Sequence, residues 1–473
     1  MNTRSAGLKG PNSAEHPESV EVQGAKGVVL VTTLMLGVIA YQLNASMVTP
    51  ALPEMAREFG GSVGDISQVS SLFFLAGAIA GVVFTRLSDF TGRKKMLLAV
   101  LAITALGTLL CALAPSLPLL LTGRVLQGAS SAAFQLAYVI LNERLSARVF
   151  GTALGVITAI NGGVGGLDGY LGGLLTDHLG FRSIFATILL VGVIAAICVA
   201  LLIPADTTTV TQGRMDWWGS AALSIGLICV TYGVSNGSSH GWTHPGTLGY
   251  LAATAALFAL FLGIERRTPT PLIAVEHLRS RQVWPVIATT VIVLAGVFAV
   301  INFTVVIISQ NTGTGYGLSA SQSALLYLTP AAVIGVFAAP LSGWLATRSG
   351  WIPVLRVGLV LCIAALIVIA LAPQSRWIVL AAVASLGIFY NGLVLTTVNG
   401  LGVIQSPKEA PAALPGLNGA AFGIGAGLGI GVVAPFAARG TVTGFTTALW
   451  ISVGITVLAL AASLCITPRK DAD

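Results

Sequence analysis

Runs of about 20 apolar residues recur along almost the whole chain, each long enough to cross a hydrocarbon core of about 30 Å as a helix. Inside lipid such a segment must satisfy its own backbone polar groups, which leaves the helix as the spanning form here. The charge content agrees: 9% of residues are charged, against about a quarter in a soluble domain. Spans are read at about 27–50, 66–87, 96–114, 117–141, 151–175, 183–203, 217–236, 247–264, 284–309, 322–346, 353–372, 377–403, 411–437 and 443–466. The fold class expected is an all-α membrane protein of fourteen transmembrane helices. Residues 1–25 are polar, lack the apolar core of a signal peptide, and read as a disordered cytoplasmic tail.

Lysine and arginine set the orientation. With the N-terminus inside, nineteen fall in inner segments, among them Arg86, Arg93, Lys94, Lys95, Arg144, Arg348 and Arg356. Four fall outside (Arg57, Arg182, Arg376, Arg439), and Arg124 lies within a span. Both termini are therefore expected in the cytoplasm, with the chain in a bacterial inner membrane. The net charge of +7 forms no binding stripe, so nucleic acid is not an expected partner. The five cysteines stand singly in or beside apolar runs, without metal-ligand spacing.

The chain repeats itself. Thr85-Arg86-Leu87-Ser88-Asp89-Phe90-Thr91-Gly92-Arg93 aligns with Gly343-Trp344-Leu345-Ala346-Thr347-Arg348-Ser349-Gly350-Trp351, each closing an apolar run at an inner turn. The expected domains are a six-helix half over 26–203, two linker helices with a cytoplasmic loop over 204–282, a second half over 283–466, and a tail over 467–473. In the first turn Gly92 permits the tight bend, Asp89 can cap or pair across to other helices, and Arg93 to Lys95 anchor the loop at the anionic leaflet. Asp89, Gly92, Arg93 and Arg348 are the candidate conformational gate. The same turn also reads as a topology signal alone.

Two more stretches carry chemistry. Arg124-Val125-Leu126-Gln127-Gly128-Ala129 places a guanidinium inside span 4, where an uncompensated charge would cost several kcal/mol. It should face a cavity or an acid, or snorkel to the nearby surface. Gly162-Gly163-Val164-Gly165-Gly166-Leu167-Asp168-Gly169-Tyr170-Leu171-Gly172-Gly173 is a run of small residues that lets helices approach closely in span 5.

In this order the three stretches resemble motifs A, B and C of the major facilitator superfamily, and in particular its fourteen-span drug:proton antiporters. Arg214-Met215-Asp216-Trp217-Trp218-Gly219, Tyr316-Gly317-Leu318-Ser319 and Leu328-Thr329-Pro330 are similar to the same family, so the resemblance covers about 27–466. It implies two six-helix halves plus two inserted helices, alternating access, and proton-coupled efflux of drugs or metabolites. The sequence departs from the family at telling places. Thr85 and Phe90 replace a glycine and an arginine of motif A, Asp168-Gly169 replaces the Gly-Pro pair of motif C, and Asn44 stands where span 1 usually carries an acid.

Asn44, Arg124 and Asp168 lie about six or seven residues from the outer ends of spans 1, 4 and 5, within roughly one helical turn of the same height. The expectation is that Asp168 replaces the missing acid in space. It would pair with Arg124, accept a hydrogen bond from Asn44, and exchange protons, burial and the arginine acting on it in opposite directions. A permanent structural pair is the alternative. Glu143 with Arg144 reads as a loop pair, and Asp177 with His178 as incidental loop residues.

Polar and aromatic side chains inside apolar helices are the candidates for substrate contact: Tyr41, Gln42, Gln68, Gln127, Gln135, Tyr138, Asn161, Asn302, Tyr327, Tyr390, Asn391 and Asn418. Each serves equally well to hold two helices together. No phosphate-binding loop, metal cluster or nucleophile constellation is present, so neither catalysis nor a cofactor is expected, and the proton gradient would supply the energy. Expected partners are a small-molecule substrate and the bilayer, with the chain a monomer. Efflux leads. Uptake of an organic acid or nutrient is the alternative, and a sensor or lipid-handling role comes last.

Overall fold

The computed structural model describes residues 25–61, 63–145, 167–206, 215–268, 280, 282–405 and 413–467. Among these, twelve helices are long and apolar enough to cross a membrane. They are Ala25–Glu58, Asp65–Thr91, Arg93–Leu113, Arg182–Leu202, Trp217–Gly237, Pro245–Glu265, Trp284–Gln310, Ala320–Ser349, Trp351–Leu371, Arg376–Gly402, Leu417–Ala437 and Val442–Leu464. These correspond to expected spans 1–3 and 6–14. Span 4 is instead two helices, Leu117–Gln127 and Ser130–Arg144, of 11 and 15 residues. Neither alone reaches the length of about 20 residues that a crossing needs. Span 5 begins outside the described residues, and its helix is followed from Leu167 to Leu179.

Local chemistry sets several helix starts. Asp216 accepts from the Gly219 nitrogen at 2.8 Å to cap span 7, and Pro245 opens span 8. Ser319 and Gln322 form a reciprocal capping box at the start of span 10. The aligned turns of the repeat share one backbone. Gly92 has φ 96° and ψ 143°, and Gly350 has φ 90° and ψ 142°, a conformation open to residues without a Cβ.

We call the end that carries residues 25 and 467 proximal and the opposite end distal. Span 13 lies along span 2 and joins the halves. Gly423 sits over the Phe74 carbonyl and Ala78, and Gly427 over the Ser71 carbonyl. The linker spans 7 and 8 pack on one another and reach this seam from outside, through Leu75, Leu223, Leu227 and Phe261. They flank the joint and do not enter it.

The break in span 4 falls where that helix meets span 2. A Cβ at Gly128 would lie 2.6 Å from the Ala76 Cβ, 2.8 Å from the Gly77 nitrogen and 2.9 Å from the Phe73 carbonyl. Most of that wall is backbone, which yields little. Gly128→Val is expected to cost about 1–3 kcal/mol through overpacking, read as a lower thermal midpoint in detergent. A midpoint equal to wild type would show that span 4 moves aside freely.

Candidate functional site

Asp168 lies in the helical part of span 5 and is 4% exposed. Ser46 Oγ, near the distal end of span 1, is 2.5 Å from its Oδ2, while its Oδ1 is buried without a hydrogen-bond partner. Ser46 Oγ also stands 2.9 Å from the Gln42 carbonyl and accepts from Gln42 Nε2 at 3.0 Å. The residue after the acid, Gly169, faces Leu328 of span 10, so Asp168 sits beside the boundary between the halves.

Arg124 is 1% exposed, yet no carboxylate among the described residues meets it. Its Nε donates to the Val69 carbonyl at 2.8 Å, and its Nη1 to the Asn44 carbonyl at 3.1 Å and to Gln127 Oε1 at 2.7 Å. The guanidinium carbon stands 4.3 Å from the centre of the Phe73 ring. Gln127 is held in turn, its Nε2 donating to Thr108 Oγ1 at 2.9 Å.

The expected Asp168–Arg124 ion pair is therefore not formed in this conformation. The physical reason is span 1, whose first helix, Ala25–Ser46, supplies a partner to each group in its last turn: the Asn44 carbonyl to the arginine and the Ser46 hydroxyl to the acid. The Asn44 amide does not reach Asp168 either. Its Nδ2 donates back to the Ala40 carbonyl at 2.7 Å, and its Oδ1 is buried and unpartnered. Ser46 takes the place expected for Asn44. A hydroxyl two residues on, about 200° around the same helix and so facing another neighbour, was the signal in the sequence.

The gate residues form a network at the proximal end. Asp89 pairs with Arg93 and, at 2.6 Å, with Arg86. Arg93 reaches on to Glu143 at 3.0 Å and to Ser88 Oγ at 2.5 Å. Asp89 therefore pairs within its own turn, and Glu143 pairs with Arg93, not with Arg144. Asp206, which carried no role in the sequence, closes the network. It accepts from the Lys94 nitrogen at 3.0 Å, lies 3.8 Å from Arg144, and packs against Gly92 where a Cβ would stand. Arg348, the counterpart in the second half, lies over the Trp344 ring at 4.0 Å. The repeat conserves the shape of the turn and not its charges.

Several substrate-contact candidates are engaged in holding helices together. Tyr327 donates to the Arg376 carbonyl at 3.1 Å, and Asn391 to the Ala331 carbonyl at 3.0 Å. Asn418 accepts from Thr290 at 2.6 Å and donates to Asn399 at 3.0 Å, tying spans 9, 12 and 13. Gln135 accepts from Thr85 at 3.1 Å and lies against Gly81 and Gly419, touching both halves. Asn302 donates to the Phe298 carbonyl at 3.3 Å, Gln68 is half-buried, and the Tyr390 hydroxyl is buried without a partner. Asn161 lies outside the described residues. Asn302, Tyr327, Tyr390 and Asn391 all fall on π-helical turns, which recur at functional positions in membrane and soluble helices.

Tyr41 and Tyr138 belong to an aromatic run assembled from distant parts of the chain. Ring centroids run from Tyr138 to Phe134 at 4.7 Å, to Tyr41 at 5.9 Å, to Phe73 at 6.3 Å and to Phe74 at 5.2 Å. From there the run crosses to Phe298 at 5.3 Å and Phe422 at 5.5 Å. Spans 1, 2 and 4 of one half thus meet spans 9 and 13 of the other through aromatic faces.

The sequence matches the Major Facilitator Superfamily over residues 34–430. It is 33% identical to the uridine/deoxyuridine transporter of Lactococcus lactis subsp. cremoris, over 94% of this chain and 95% of that one. It is 27% identical to the tetracenomycin C resistance and export protein of Streptomyces glaucescens, over 89% of this chain and 78% of that one. Among solved structures, the partially occluded inward-open xylose transporter XylE of E. coli superposes with a TM-score of 0.64 at 12% identity, covering 95% of this chain and all of that one. Apolar helices in this number, packed as two halves with repeated turns, agree with those matches: the chain belongs to the major facilitator superfamily and is a multi-pass secondary transporter, not an enzyme.

Proposed function

We propose that the protein carries a small, neutral, ring-bearing polar solute of the nucleoside class together with a proton, and that Asp168 holds the proton. The observation that carries this reading is the Asp168–Ser46 contact. Ser46 has one hydroxyl hydrogen and two oxygens in reach, the Gln42 carbonyl and Asp168 Oδ2. A protonated Asp168 resolves the competition: the carboxyl donates to Ser46 Oγ, and the hydroxyl donates to the Gln42 carbonyl. An ionised carboxylate would instead stand in the membrane without a counter-ion, at a cost of several kcal/mol. When the site opens to water, Asp168 releases its proton, and Arg124, the one buried cation among the described residues, becomes its counter-charge.

The substrate class rests on two supports. The half-buried rings of the aromatic run, Tyr41, Phe134, Tyr138, Phe298 and Phe422, offer stacking faces to a planar ring, worth about 0.5–1.5 kcal/mol per good pair. The Lactococcus relative is a uridine/deoxyuridine transporter and matches along nearly its full length. With the basic proximal end in the cytoplasm, solute and proton would enter together. Export is the second reading, favoured by the Streptomyces relative and by the glycine-rich span 5.

Proteoliposomes given labelled uridine and an imposed pH gradient separate the two. Co-transport predicts accumulation inside vesicles whose lumen is alkaline. Export by exchange predicts accumulation when the lumen is acidic. Uridine movement unaffected by either gradient would sink the coupling, and none at all would sink the substrate class.

A further inference from the structure

The distal ends of the two halves are joined by a carboxylate that crosses between them. Asp177, two residues beyond the expected end of span 5, accepts from the Ala320 nitrogen at 3.1 Å and the Ser321 nitrogen at 2.9 Å, and also from the Ser321 hydroxyl. Those nitrogens belong to the first turn of span 10, where a helix has no internal acceptors to offer. Ser319 caps the Gln322 nitrogen from its own side. Asp177 thus caps in trans what the second half leaves open, and its negative charge faces the positive end of the helix dipole.

The backbone around this contact is shaped for closeness. A Cβ at Gly173, one turn before Asp177, would lie 2.6 Å from the Ser321 Cα and 2.7 Å from its nitrogen. Nearby, Gln310 Nε2 of span 9 donates to the Pro50 carbonyl at 2.9 Å, a second link between halves at the same end. The proximal contacts around Asp89 and Arg356 each stay within one half, and Asp206, just past the first half, ties back to that same half. Desolvation raises the proton affinity of Asp177, but the donors of Ser321, Ser319 and Ala320 outweigh it and hold the carboxyl below the usual carboxylate range. The latch is therefore charged under ordinary conditions.

We infer that Asp177 is a distal latch: its capping of span 10 stabilises the conformation closed at this end, and the distal opening required for alternating access must break it. This holds whatever solute is carried, so it stands apart from the substrate and proton proposals. The corresponding joint between spans 2 and 13 has Ala437 at the same distance before its positive-φ glycine, Gly440, as Asp177 has before Gly180.

The test is a distance measurement between spin labels at Arg57→Cys and Thr312→Cys, exposed positions on opposite halves of the distal end, in a cysteine-free background without solute. Loss of a cap of this kind is expected to shift the closed-to-open ratio about fivefold toward the longer distance in Asp177→Ala. Ser321→Ala, which removes only the hydroxyl, should shift it less. Gly173→Val, a wedge at the same joint, should lengthen the distance independently and serves as the positive control. An unchanged distribution in Asp177→Ala overturns the latch, whatever the wedge does. If Asp177→Ala does not fold, an unchanged distribution in Asp177→Leu, which keeps the bulk and has no acceptor, overturns it equally.

Discussion

Asp168→Asn is expected to abolish concentrative transport while leaving exchange of solute across the membrane intact. One pH unit is worth about 1.4 kcal/mol, so one proton per solute drives about tenfold accumulation across a gradient of that size. The amide has nearly the shape of the protonated acid and can donate to Ser46 Oγ as that acid does, so the buried site of this conformation stays satisfied. It cannot release a proton. The accumulation ratio should fall from about ten to about one under the same gradient, with counterflow of preloaded solute retained. A variant that still concentrates tenfold would remove Asp168 from the coupling. Loss of counterflow as well would place Asp168 in solute binding or folding.

The second large effect concerns Arg124. Its charge is fully buried, which costs several kcal/mol, and it is offset by three charged hydrogen bonds of about 1.5–3 kcal/mol each and by the Phe73 ring at about 2 kcal/mol. These terms are of similar size and opposite sign. Replacing the whole group by an apolar chain of similar length should therefore leave stability nearly level: Arg124→Met is expected to keep its thermal midpoint within a few degrees. Transport should nevertheless fall by at least about a hundredfold, because the counter-charge for ionised Asp168 is gone, a loss of about 3 kcal/mol or more. Arg124→Lys keeps the charge but lacks the planar fork that serves Val69, Asn44 and Gln127 together, so it should recover only part of the activity. Near-normal transport in Arg124→Met would reduce the arginine to a packing group. Collapse of the midpoint would show that the three hydrogen bonds outweigh the burial.

The residues that mislead and those that inform differ in a regular way. Arg124 and Asp168 stand out in the sequence because charges in apolar runs are expensive wherever they end up. Their partners do not, since Ser46 and the Asn44 and Val69 carbonyls look like any other small or backbone groups on an apolar helix. Gly92 and Gly350 announce two turns, and both turns adopt the same backbone. Asp206 gave no sign, because its partner is the backbone nitrogen of Lys94 on another helix. Gln127, Tyr327, Asn391 and Asn418 read equally as substrate contacts or helix ties, and the ties are what the packing makes of them.

Asp177 makes the division sharpest. In the sequence it is an acid just past the end of a span, beside a histidine and three residues from a glycine, with nothing to separate it from a solvated loop residue. In three dimensions it caps a helix whose first residue is 143 positions further along the chain. The sequence by itself determined twelve of the apolar crossings, the repeated proximal turns, the membrane class and the burial of Arg124 and Asp168. Each of those follows from a cost that any position in lipid imposes on its own segment. Only the tertiary structure decided which group meets which: Ser46 with Asp168, carbonyls with Arg124, Asp177 with span 10, and the ring-to-ring path between the halves. Those choices depend on how helices approach one another, and contacts between distant segments leave no local pattern to read.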